Sequence, residues 1–169
     1  MKKKLALALT LATFVSAGAA FASPVHPGGL GIGALWGGTI NNNDFHNNVA
    51  LSLKLPGIPI FWGATVNFGE AFGIGLQGDY YFLGGPIVPT LSWFLGFGGY
   101  ADIRLGDNAS IGFGGRLPIG LTWQPISLLE VFLNAAPRLG ARIQTGSGGG
   151  FHFPSGGFFL FEAGLRIWI

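Results

Sequence analysis

The chain predicts an all-β protein: an eight-stranded antiparallel up-and-down transmembrane β-barrel. Three observations carry that reading. Charged residues make up 9% of the 169 where about 25% is usual, while Gly numbers 31 and aromatics reach 14%. So few charges cannot cover a globule that faces water on all sides. Beyond the N-terminal segment no run reaches the roughly 18 consecutive apolar residues of a transmembrane helix. Apolar and polar residues instead alternate along most of the chain, and a closed barrel is the remaining way to satisfy every backbone group inside lipid.

The N-terminal segment stands apart. Lys2, Lys3 and Lys4 precede an apolar stretch from Leu5 to Val15, and Ala20-Phe21-Ala22 forms a small-x-small cleavage site before Ser23. Residues 1–22 are therefore expected to be a signal peptide, and residues 23–169 a single barrel domain exported to the bacterial outer membrane. An uncleaved anchor is the alternative, but the apolar stretch is short for a span. Three of the nine basic residues leave with this segment, so six remain against seven acids, a net charge of −1. The pI of 9.2 thus belongs to the leader, and nucleic acid is not an expected partner. The absence of Cys suits an exported chain with no disulfides to form.

Turn residues divide the remainder into eight alternating segments, at 28–40, 47–55, 58–68, 72–83, 91–105, 109–123, 128–136 and 156–169. The breaks fall at 41–46, Pro56-Gly57, 69–71, 84–90, 106–108, Gln124-Pro125 and a long final loop, 137–155. Each segment reaches the about 9–11 residues that a tilted strand needs to cross a bilayer. One parity suits lipid. Val49, Leu51, Leu53 and Leu55 alternate with Ala50, Ser52 and Lys54, and Trp93, Leu95, Phe97, Ala101 and Ile103 oppose Ser92, Tyr100, Asp102 and Arg104. In the last segment Phe159, Phe161, Ala163, Leu165 and Ile167 oppose Glu162, Gly164, Arg166 and Trp168. This is apolar outside and polar inside, as a membrane barrel requires.

The charges follow the same parity. Lys54, Asp79, Asp102, Arg104, Arg116, Glu130, Glu162 and Arg166 all point inward on this reading, while Asp44, Glu70, Asp107, Arg138 and Arg142 fall in loops. An outward Arg or Lys at the bilayer centre costs about 2–4 kcal/mol. Four acids and four bases within a narrow cylinder are expected to pair as a salt-bridged plug, because buried charges need partners; a wet, charge-lined pore is the competing reading. By the same boundaries Asp102, Arg104, Arg116 and Glu162 meet at similar depth. Trp62, Tyr80, Trp93 and Trp123 mark an aromatic girdle at the periplasmic rim. Inward Gly31, Gly33, Gly73, Gly75, Gly96, Gly98, Gly112 and Gly114 make room for Phe61, Tyr81, Phe94, Tyr100, Phe132 and Trp168. Pro118 cannot donate to a ladder, so a bulge or bend is expected there.

Motifs with catalytic or cofactor associations are weak. Residues 73–78 spell G-x-G-x-x-G, but Asp79-Tyr80-Tyr81-Phe82 continues a strand where a dinucleotide site needs a helix. Gly148-Gly149-Gly150 reads as a flexible loop. His152 and Ser155 share the final loop, with His26 and His46 elsewhere, yet no carboxylate lies nearby in sequence to orient a base. Asp44 and His46 alone do not make a metal site. Neither catalysis, a cofactor nor a metal is expected.

The C-terminus carries the most specific motif. Glu162, Gly164, Ile167 and Ile169 fit the pattern polar-x-Gly-x-x-apolar-x-apolar, which resembles the β-signal read by the barrel-assembly machinery. Many members of that class end in Phe; this chain ends in Ile169. The chain from 23 onward resembles the small eight-stranded outer-membrane barrels of the OmpX, OmpA-transmembrane and OmpW type. Residues 116–123 and 129–133 are also similar to small spirochaetal barrels. The resemblance implies outer-membrane lipid, periplasmic chaperones and the assembly machinery as partners. Two departures stand out: tight turns at 69–71 and 106–108, and eight interior charges where OmpW-type interiors are apolar, so hydrophobic-ligand transport is not carried over. The expected role is structural or surface-interacting, with an extracellular ligand left open. A narrow solute channel is second and a lipid-active enzyme third.

Overall fold

A computed structural model describes residues 28–41, 44–67, 72–106, 108–146, 149–153 and 159–169. The expected signal peptide, Glu70, Asp107, Ser155 and His26 lie outside them. Alternation builds ten strands: β1 (Gly31–Asn41), β2 (Asp44–Lys54), β3 (Ile60–Asn67), β4 (Phe72–Val88), β5 (Leu91–Leu105), β6 (Ser110–Arg116), β7 (Ile119–Ile126), β8 (Leu129–Gln144), β9 (Gly150–His152) and β10 (Phe159–Trp168). Every pairing is antiparallel, and no helix occurs among the described residues.

The sheet closes on itself. Each of β1 to β5 pairs with the next, β6 and β7 both lie between β5 and β8, and β8 pairs with β10. Because β10 also pairs with β1, with Gly31 opposite Trp168, the result is a ring of eight strands in which β6 and β7 count as one. The short β9 adds to β8 outside that ring. Leu30 and Ile169 exchange backbone hydrogen bonds of 2.9 and 2.7 Å where the ring closes.

Local chemistry explains the joints. Between β2 and β3, Pro56-Gly57 makes a turn in which Gly57 takes φ 73° and the Ile58 N–H donates to the Leu55 carbonyl at 3.4 Å. Proline presets the first central φ, and glycine accepts the positive one.

Pro118 departs from expectation. The strand assignment is interrupted at Leu117-Pro118, but the register is not shifted: β5 meets β6 at Gly98↔Arg116 and β7 at Leu95↔Ile119, without an inserted residue. The Pro118 carbonyl accepts from the Gly96 N–H at 2.8 Å, and the Pro137 carbonyl on β8 accepts from the Leu117 N–H at 2.9 Å. Each proline forgoes only the bond its ring cannot donate. The irregularities instead fall between Tyr81 and Leu83, Pro86 and Val88, and Trp123 and Ile126.

Strand lengths also differ from the sequence reading. β2 begins at Asp44, β4 runs to Val88, and β8 continues to Gln144; the break expected at Gln124-Pro125 lies inside β7, where the pair sits in an irregularity of the ladder, and the turn falls at 127–128. The expected long loop at 137–155 is thereby replaced largely by β8 and β9. Pairing with β6 holds this extension, from Arg116↔Arg138 to Ser110↔Gln144.

The outer wall presents Leu51, Leu76, Phe97, Phe113, Leu133 and Leu165, all exposed, while Phe61, Phe94, Phe132, Leu160 and Trp168 are buried inside. Inward glycines lie beneath cross-strand side chains, with Phe94 against Gly120, Phe132 against Gly164 and Tyr81 against Gly96. The rings of Phe61, Tyr81 and Phe94 follow one another at centroid distances of 4.5 and 4.3 Å. Gly98 shows how close this packing is, since a Cβ there would collide with the Asp79 carboxylate and the Gly78 carbonyl. Its neighbour Gly99 faces outward with only the Gly114 carbonyl, at 3.6 Å, in reach. Gly98→Val is therefore expected to cost about 1–3 kcal/mol or to block folding, whereas Gly99→Val is tolerated. Urea unfolding of both variants in detergent measures the difference; equal tolerance would overturn the inward and outward assignment.

Candidate functional site

The chemistry-bearing residues collect inside the ring. Among the described residues all ten Asp, Glu, Lys and Arg side chains whose placement is described line the interior or its mouth. They form three groups.

The lower group lies nearest the paired chain ends. Glu130 and Arg166 stand opposite each other on β8 and β10, with Arg166 Nη1 2.6 Å from Glu130 Oε2. The same carboxylate accepts from Thr122 Oγ1 and from the Trp168 indole, each at 2.8 Å. Arg166 also donates to Ser52 Oγ from Nε at 3.3 Å and Nη2 at 2.9 Å. Its guanidinium lies 4.8 Å from the Phe61 ring centroid and 4.7 Å from that of Phe132. Such stacking suits the planar, weakly hydrated guanidinium. Lys54 stands to one side, donating to the Leu55 carbonyl at 2.9 Å with its ammonium 5.6 Å over the Phe61 ring.

The central group is built around Arg116. Its guanidinium bonds both Glu162 oxygens and the Gln77 amide oxygen, and its Nε lies 3.1 Å from Asp79 Oδ1. Gln77 in turn donates to Glu162 at 2.7 Å. The paired fork of Arg116 on Glu162 is the geometry that makes arginine and carboxylate pairs strong. Two acids share this one guanidinium.

The outer group lies at the opposite mouth. Arg142 donates to Asp102 at 2.9 Å and to Ser110 Oγ at 2.9 Å, while Arg104 Nε is 3.9 Å from Asp102. Arg138 donates to Thr39 Oγ1 at 3.1 Å and lies 5.4 Å over the Tyr100 ring. Exposure separates these groups. Side chains of Arg116 and Glu130 are 1% and 0% exposed, against 58% for Arg104, 19% for Arg142 and 22% for Asp102. The mouth meets solvent, Lys54 is half-buried, and the ion pairs of the two deeper groups are shut away.

Two sequence expectations are corrected. Arg138 and Arg142 are not loop residues; both point inward from β8. The signal was present, since Leu139 and Ile143 keep the outward parity, but Pro137 and the glycines beyond Thr145 read as a loop. Asp102 and Arg104 do not meet Arg116 and Glu162, because the ladders place them toward the Leu105 end of β5 beside Arg142. The residues expected as a girdle fall near the turns on the chain-end side. Trp62 and Tyr80 flank the start of β3, while Trp93 and Trp123 flank the start of β5. Trp36, exposed on the outer wall of β1, was not anticipated.

Residues 73–78 lie within β4, and a strand follows them. His152 is exposed on β9 opposite Arg142; Asp44 and His46 belong to β2 by backbone position alone. Among the described residues no group of three His, Cys, Asp or Glu is placed to hold a metal. Glu162 and Gly164 of the terminal motif face inward on β10, with Gly164 beneath the Phe132 ring, while Ile167 and Ile169 are exposed outside. No protein-family model and no curated protein matches the chain.

Proposed function

We propose that the protein is an integral outer-membrane β-barrel with a structural or surface-interaction role and a sealed interior. One observation carries the reading: the exposed wall is apolar, and the ten described charges are turned into a ring whose deeper ion pairs are shut from solvent. A water-soluble protein gains nothing from that inversion, whereas a ring immersed in lipid requires it. Export by the leader and delivery by the assembly machinery belong to the same proposal. Two layers of ion pairs across an eight-strand cylinder support a sealed interior over an open solute path. In planar bilayers the purified protein is expected to give no single-channel steps, and liposomes containing it to swell in small sugars no faster than protein-free ones. Discrete steps or solute-dependent swelling would replace this reading with a narrow channel.

A further inference from the structure

A cavity of about 10 Å³ lies between the central and lower ion groups, bordered by Ser52, Gln77, Asp79, Asn134, Glu162 and Arg166 and flanked by the aromatic residues Phe61, Trp62, Tyr81 and Phe132. That is room for the centre of about one water molecule. Three of the lining side chains are incompletely satisfied, and one of them is a donor, the buried Trp62 indole N–H. Asp79 and Asn134 are each 3% exposed, and the Oδ1 atoms of both are buried without a hydrogen-bond partner. Arg116 Nε is 3.1 Å from Asp79 Oδ1, but it too lacks an aligned hydrogen bond, so the contact is an ion pair only. The Asn134 amide nitrogen donates to Glu162, and its oxygen is left as an acceptor. Ser52 Oγ accepts twice from Arg166 and still has its own proton to give.

We infer that this cavity is a binding site for one water molecule, which donates to Asp79 Oδ1 and Asn134 Oδ1 and accepts from the Ser52 hydroxyl. Two acceptors and one donor are what a water with about three bonds requires. The occupant follows from the polarity of the orphaned atoms: two are acceptors and the Trp62 N–H is a donor, so the ligand must bring two hydrogens and also be able to accept, which a water does and a bare cation does not. The bound water ties Ser52, Arg166 and Glu130 to Asp79, Arg116 and Glu162, making one continuous polar partition from two groups. This goes beyond the proposed function, since the site follows from the interior alone, whatever surrounds the ring.

A high-resolution crystal structure of the full chain tests the site directly. One density peak within about 2.6–3.2 Å of both Oδ1 atoms is expected. In solution, oxygen-17 relaxation dispersion on the wild-type protein in micelles is expected to detect a long-lived water that Asn134→Leu removes. Three results would overturn the inference: an empty cavity, both Oδ1 atoms paired with protein donors, or a peak that gains anomalous signal when sodium is exchanged for thallium. If Asn134→Leu does not fold, the wild-type density decides alone. Conductance in bilayers with the water present would revise the sealed-interior reading and leave this one standing.

Discussion

Arg116→Ala is expected to lower stability by about 3–5 kcal/mol, because it leaves Asp79 and Glu162 buried without their cation. Both carboxylates are at most 3% exposed, and water cannot take over the lost charge. Gln77 still donates to Glu162, but a neutral amide replaces neither the bidentate fork nor its charge. Glu162→Ala is expected to cost a similar amount, and the double variant less than the sum, since each single change strands the other partner. Arg104→Ala is the control. Its side chain is 58% exposed and 3.9 Å from Asp102, so its loss is expected to cost under about 1 kcal/mol. Urea midpoints in detergent micelles measure all four. A small effect at Arg116, matching that at Arg104, would mean that the interior is wet and the groups are a pore lining.

Deleting residues 167–169 is expected to abolish the closed ring. Ile167 stands opposite Ile32 on one side and Leu129 on the other, so the truncation shortens the strand that joins both edges. It also removes the Trp168 N–H bond to the Leu128 carbonyl and the Ile169 N–H bond to the Leu30 carbonyl. The Trp168 indole, a donor to Glu130, goes with them. The backbone of Gly31 and Ile32 on β1 and of Leu128 and Leu129 on β8 then loses its partners, which the proposed lipid setting would not tolerate. Outer-membrane levels in cells and the gel shift of unheated samples give the readout. Comparing refolding into detergent with assembly in cells separates the two roles of the segment. A truncation that refolds in detergent but does not accumulate would support the proposed assembly role of the terminal motif. Normal levels in the outer membrane would show that the terminal motif is dispensable.

The sequence alone determined the strand period, the parity and the turn at Pro56-Gly57. These are local properties: Leu51, Leu53 and Ser52 carry their orientation in their spacing, and Pro56-Gly57 carries its turn in its own φ preferences. The strand at 91–105 was readable to the residue for that reason. Where local signals conflict, tertiary pairing decided. Pro137 and the Gly-rich tail locally favour a loop over the alternation through Leu139 and Ile143, but the ladder to β6 keeps those residues in a strand. Pro118 likewise stays in register because its carbonyl is used even though its nitrogen is not. Which acid meets which base was also beyond the sequence. Parity shows only that a charge points inward; its depth depends on the stagger accumulated around the whole ring. That stagger sends Arg116 to Glu162 and Asp79, gives Asp102 to Arg142, and gathers Ser52, Asp79 and Asn134 around one small cavity.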